Sequence, residues 1–161
     1  MLDGIEDAQG KTILVYRLGE NSYPFNPVYK FNPQTFFETL LIQAYYNNFP
    51  SGELAKAVLD FEFFANDENN FMNVGYEINP DNHSYIARND TIVFGGFEGL
   101  TKVDISKQDA QKVFVFGGGG EIRSWDGGYT FPLDSIPLVA NFIPIALADF
   151  DDEVMFGFDE E

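Results

Sequence analysis

Cysteine is absent from all 161 residues, which excludes disulfides, thiolate zinc sites and a cysteine nucleophile. Such a composition fits a reducing compartment, and a cytoplasmic location is the expectation. Histidine occurs once, as His83 in NPDNHSYIA. Ser84, Asp81 and Asp90 are close in sequence but show no catalytic spacing, so a surface-loop histidine is expected, and any metal site would need oxygen ligands. Basic residues are scarce as well. Nine Lys and Arg face 26 acids, a formal charge of -17 with a pI near 4.1. Free nucleic acid and anionic membranes are poor partners for that field, whereas a basic protein would be drawn to it. Solubility alone is the plainer account of the same charge. No apolar run approaches the roughly 18 residues of a membrane helix, and the opening MLDGIEDAQGK is acidic where a signal peptide is basic. Neither signal peptide nor span is expected.

What is abundant is aromatic and apolar. Hydrophobic residues make up 45%, with 18 Phe and 8 Tyr, enough to offset the ordering entropy of one core over residues 1–161. KTILVYRL (11–18) is β-branched and aromatic and reads as a strand. YPFNPVYKFNP then carries three prolines and reads as an extended connection without regular structure. Asn32-Pro33 resembles a helix start, and Phe36, Phe37, Leu40, Leu41 and Ala44 follow at helical spacing. Ser51 is placed to cap a second helix, with Leu54, Ala57, Val58, Phe61 and Ala65 on one side and Glu53, Lys56, Asp60 and Glu62 mostly away from it. A helix–loop–helix pair is predicted. From Phe71 onward, FMNVGYEI, SYIA, TIVF, LTKVDI, KVFVF, EIRSW and YTF are separated by glycine- and asparagine-rich turns. That spacing predicts an antiparallel meander with no room for crossover helices. Ser135 and Pro137 could open a short helix in IPLVANFIPIALADF, with Pro144 breaking it. The expected fold is therefore α+β: an N-terminal strand and helical pair on a meander-like sheet of about five or six strands, with a short C-terminal helix.

FGGGGEIRSWDGG (116–128) poses the question of a phosphate site. A Walker-type loop needs Lys and Ser or Thr after its last glycine and a helix behind it; Glu121 follows instead, then a strand-like run. The dinucleotide fingerprint finds Gly117 and Gly119 but needs a glycine at Ile122. A hairpin turn between KVFVF and EIRSW is the reading. Trp125, the one tryptophan, precedes Asp126-Gly127-Gly128 and is either core or a partner anchor; Arg123 would share a sheet face with it and with Glu121, as a solvent-facing ion pair or cation–π contact. In DFDDE (149–153), an EF-hand loop begun at Asp149 would have Asp151 third, but Val154 sits where the sixth-position glycine belongs, and Glu160 is twelfth. No metal or other cofactor is expected. Seven of the last 13 residues are acids, interleaved with Phe150, Val154, Met155, Phe156 and Phe158. These apolar residues either pack as a final strand or helix edge, or anchor a partner inside an acidic rim.

TIVFGGFEGLTKVDI (91–105), KVFVFGGGGE (112–121) and PLVANFIPIAL (137–147) resemble, over residues 88–148, the SUKH superfamily of bacterial immunity proteins that neutralise polymorphic toxins. The resemblance implies an α+β fold and inhibition of a toxin by binding; it transfers no catalytic residue and no cofactor. Charge and resemblance together predict an acidic immunity-type inhibitor of a basic, nucleic-acid-acting toxin. Partner-binding residues are expected at Glu121, Trp125, Asp126, Asp149, Asp151, Asp152, Glu153, Phe156, Asp159, Glu160 and Glu161, and the carboxylates among them would occupy the place of substrate phosphates. A phage-type nucleic-acid mimic directed at a host defence complex is the alternative in the same class. A small carboxylate enzyme or ligand-binding domain is the alternative in another, and would need two acids converging with shifted pKa values.

Overall fold

The computed structural model describes residues 3–6, 12–17, 28–42, 55–65, 67, 69–78, 83–97, 99–117, 120–132, 142–150 and 153–160. Among them there is no helix, so the α+β expectation is corrected to an antiparallel β fold. Four hydrogen-bonded sheets are formed. The first contains β1 (Asp3–Glu6), β2 (Thr12–Arg17), β3 (Val28–Asn32) and β4 (Phe37–Ile42), in that order. The second contains β5 (Ala55–Phe63), β6 (Phe71–Ile78), β7 (His83–Arg88) and β8 (Thr91–Phe97). The third runs β11 (Gly120–Ser124), β10 (Val113–Gly117), β9 (Leu100–Ile105), and the fourth pairs β12 (Phe142–Phe150) with β13 (Glu153–Glu160). The meander expected from Phe71 onward is present in two sheets, and KTILVYRL supplies β2. YTF is not a strand, and the proline-rich connection instead contributes β3.

Each misread helix has a local cause. Asn32 does cap exposed amides: its Oδ1 accepts from Gln34 N at 2.9 Å and Thr35 N at 3.1 Å. The chain then turns back, because Phe36 adopts a φ of 56° and Phe37 pairs with Asn32 across a hairpin. The cap closes a four-residue turn where a helix start was expected. In β5 the register slips between Val58 and Asp60, a bulge at Leu59. One inserted residue turns the strand's two-residue repeat into a three-residue step, so Val58 and Phe61 share a face as they would on a helix. Phe63 then follows at strand spacing. In the third expected helix, residues 133–141 lie outside the described residues; Pro144 falls at a register slip within β12, a position where a strand tolerates proline.

Alternation along β5 and β6 gives the second sheet two working faces. Phe61, Phe63 and Phe71 pack with Val58 and with Val28 and Ile42 of the first sheet, Phe61 and Phe71 stacked at 4.6 Å between ring centroids. Met72, Val74 and Ile86 point the other way, into a core completed by Leu100, Val103, Ile105, Val113, Val115 and Ile122 of the third sheet. The second and third sheets thus form a sandwich. Burying each such aliphatic side chain contributes roughly 1.5–3 kcal/mol.

Candidate functional site

The strands on either side of the four-glycine run pair as a hairpin. β10 pairs with β11 down to Gly117 opposite Gly120, leaving a two-residue connection of the kind expected from glycine-rich sequence. Gly117 has a further reason to be glycine: a Cβ there would lie 1.8 Å from the carbonyl oxygen of Gly99.

Beyond the hairpin, Glu121 and Arg123 share a sheet face and form a two-pronged ion pair, Nε to Oε1 at 2.8 Å and Nη2 to Oε2 at 3.0 Å. Glu121 is only 1% exposed, so this expected partner contact is an interior carboxylate neutralised by its neighbour. The ion pair anticipated at the surface is largely buried. Trp125 is 52% exposed, its ring edge-on to buried Phe114 at 6.2 Å. Asp126 braces its own loop. Its Oδ1 accepts from the Ser124 hydroxyl at 2.7 Å, Tyr129 N at 3.0 Å and Thr130 N at 2.9 Å, and its Oδ2 from the Thr130 hydroxyl at 2.6 Å. Hydrogen bonds from Thr130 and then Ser124 favour the anion and pull its pKa down to about 2.

That loop is fastened from several sides. Gly127 and Gly128 have φ of 77° and 82°, and Gly127 N donates to Gln111 O at 2.8 Å. Arg88 donates to the Gly127 carbonyl, and its guanidinium lies between two rings, 4.4 Å from the Phe64 centroid and 4.3 Å from that of Tyr129. Tyr129 is itself 62% exposed. Trp125 and Tyr129 are therefore exposed aromatics on a braced backbone. A second exposed set occupies the β3–β4 hairpin: Phe36 and Phe37, with Leu40 beyond them. As a helix face these residues were expected in the core; the hairpin carries them into solvent.

Of the acidic segment, Asp149 lies in β12, and Glu153, Phe156, Asp159 and Glu160 lie in β13, with Asp149 opposite Val154 and Phe156 opposite Leu147. The segment is a hairpin strand, and β12 approaches β10. Asp151, Asp152 and Glu161 fall outside the described residues. His83 opens β7 and is half-buried, a strand position in place of the expected loop.

The carboxylates most altered by the fold were not among the expected site residues. Asp60 and Glu62, on the sandwich-facing side of β5, reach the free edge of β9: Asp60 Oδ2 accepts from Val103 N and Glu62 Oε2 from Ile105 N, both at 3.1 Å. Lys107 binds the other oxygen of Glu62, and Lys102 lies 3.8 Å from Asp60. Asp104 is hydrogen-bonded to Glu62. Burial, then the negative charge of Asp104, raises the Glu62 pKa from 4.5 to about 8, and burial raises that of Asp104 too. Both carboxyls thus resist ionisation, but both Glu62 oxygens are bound to donors that join the two sheets. As a supposed helix, β5 put Asp60 and Glu62 on a solvated face; only strand alternation with Phe61 and Phe63 could have signalled otherwise. Among the described residues no group of His, Asp and Glu is suited to hold a metal ion, and no helix is long and apolar enough to cross a membrane. Neither a family model nor a curated protein matches the chain.

Proposed function

We propose that this chain is an acidic binding protein of the immunity type, a cytoplasmic inhibitor that occludes a basic, nucleic-acid-acting toxin. The observation that carries the reading is the exposure of Trp125 and Tyr129 on a braced loop in a chain of charge -17. Rigid aromatics lose little entropy when they anchor a partner, and the acidic field speeds its approach. Phe36 and Phe37 add further exposed aromatic surface. The reading stands on surface chemistry and charge; the SUKH resemblance contributes the expectation of a toxin partner, while the α+β fold it implied is contradicted where its last segment is described, residues 142–147 lying in strand β12. Inhibition is by occupancy, with no catalytic group and no cofactor of its own.

The test is capture from the lysate of the source organism, with the purified protein as bait. A basic protein should be retained stoichiometrically at low salt and released as salt rises, and its activity on nucleic acid should stop when the bait is added. Failure to retain a basic protein, or retention indifferent to salt, overturns the proposal.

A further inference from the structure

Arginine in this fold is repeatedly received on aromatic rings. Arg88 is held between Phe64 and Tyr129, and Arg123 lies over Phe114 at 6.0 Å. These are the two arginines whose side chains are described, and both are already engaged: Arg88 by the Gly127 carbonyl and Arg123 by Glu121. Phe114 is fully buried, but the ring edge-on to it, Trp125, is half exposed. Three residues on, Tyr129 is exposed beyond its contact with Arg88.

Between the two rings in sequence lies Asp126, whose Oδ2 accepts one hydrogen bond where Oδ1 accepts three. Three donors crowd Oδ1 while Oδ2 has one, so Oδ2 is the oxygen that keeps a lone pair for a guanidinium N–H. The backbone beneath does not have to be ordered on binding. Gly128 N donates to the Ser124 hydroxyl at 2.9 Å, Gly127 N is tied to Gln111, and Gly128 packs so tightly that a Cβ would lie 2.6 Å from Met72 Sδ.

We propose that the Trp125–Thr130 loop is an arginine-receiving site: Trp125 offers a ring to a guanidinium of a basic partner, Asp126 accepts its N–H, and Tyr129 supplies an aromatic wall. Guanidinium suits this loop better than ammonium, because it is planar, stacks on rings and is more weakly hydrated. The inference rests on the binding reading above and assigns that reading a place and a partner side chain.

Oligo-arginine and oligo-lysine decapeptides serve as probes, since they match in charge and differ in stacking. Trp125 is the one tryptophan, so its fluorescence reports contact at the loop directly. Oligo-arginine should perturb Trp125 emission and bind roughly threefold or more tighter than oligo-lysine, the scale of an exposed cation–π contact. Tyr129→Leu, which keeps the reporter, should reduce that preference. Trp125→Leu, followed by calorimetry, should abolish it while leaving oligo-lysine affinity in place. Unaltered thermal midpoints establish that both variants fold. Equal affinity for the two peptides, or an arginine preference that survives both substitutions, overturns the site. Capture of the basic partner by Trp125→Leu at wild-type strength overturns the site alone; absence of any basic partner with the wild-type bait overturns the binding reading as well.

Discussion

At the scale of single residues, the sharpest departure from ordinary chemistry is Glu62. Its side chain is 13% exposed, its charged form is disfavoured by burial and by Asp104, and Lys107 is too solvent-exposed to offset this. The groups facing it across the seam are Asp60 on its own strand and Lys102, Asp104 and Lys107 on β9 and the turn that follows. With a folded pKa near 8 and an ordinary value of 4.5, the native protein holds a proton that the unfolded chain has released anywhere between those values. Stability from this group is therefore complete below about pH 4.5 and lost as pH rises through about 8. Urea denaturation should show the wild type losing roughly 1–3 kcal/mol between pH 5 and pH 9, a range set below the full linkage value because Glu62 and Asp104 titrate as a pair. Glu62→Gln, neutral throughout and still able to accept from Ile105 N, should flatten that dependence. An unchanged slope in the variant would show that Glu62 is ionised in the fold. Beyond its alternation with Phe61 and Phe63, nothing in the linear sequence marks Glu62, because its altered chemistry comes from burial between strands and then from Asp104, 42 positions away.

At the scale of elements, the bulge in β5 explains both a misreading and a constraint. Slipping the register at Leu59 places Val58 opposite Gly75 and brings the Ala57 carbonyl over the β6 backbone. A Cβ on Gly75 would lie 1.7 Å from that oxygen, a backbone atom with no side-chain freedom to move away. Gly75→Ala should accordingly cost about 3 kcal/mol or more, the upper range for overpacking, or prevent folding outright. Chemical denaturation checks it, and a loss below about 1 kcal/mol would mean that β5 repairs its register without the bulge. The turns between later strands were legible from composition alone: GGGG, SKQDAQ and the sequence between β7 and β8 each join consecutive antiparallel strands. The helical pair was not, since an asparagine cap followed by proline suits a hairpin turn as well as a helix, and the bulge lends a strand the spacing of one.

At the scale of the whole molecule, charge and apolar content act in opposite directions. A chain of charge -17 repels itself when compact, and added salt shortens the reach of that repulsion from about 30 Å at 0.01 M to about 8 Å at 0.15 M. The thermal midpoint should rise as sodium chloride is increased over that range. A midpoint that falls would mean that attractive pairs such as Arg123–Glu121 outweigh the net repulsion. Sequence by itself determined the sign of this field, the absence of thiol chemistry, the meander after Phe71 and the turn at the four glycines. These depend on composition and on residues only a few positions apart. Tertiary structure alone decided that residues 37–42 and 55–63 are strands, that Glu121 is buried, that Trp125 and Tyr129 face outward, and that β5 carboxylates close the edge of β9. Each of those outcomes depends on which distant strand supplies a face or an edge, and short-range periodicity carries no record of that partner.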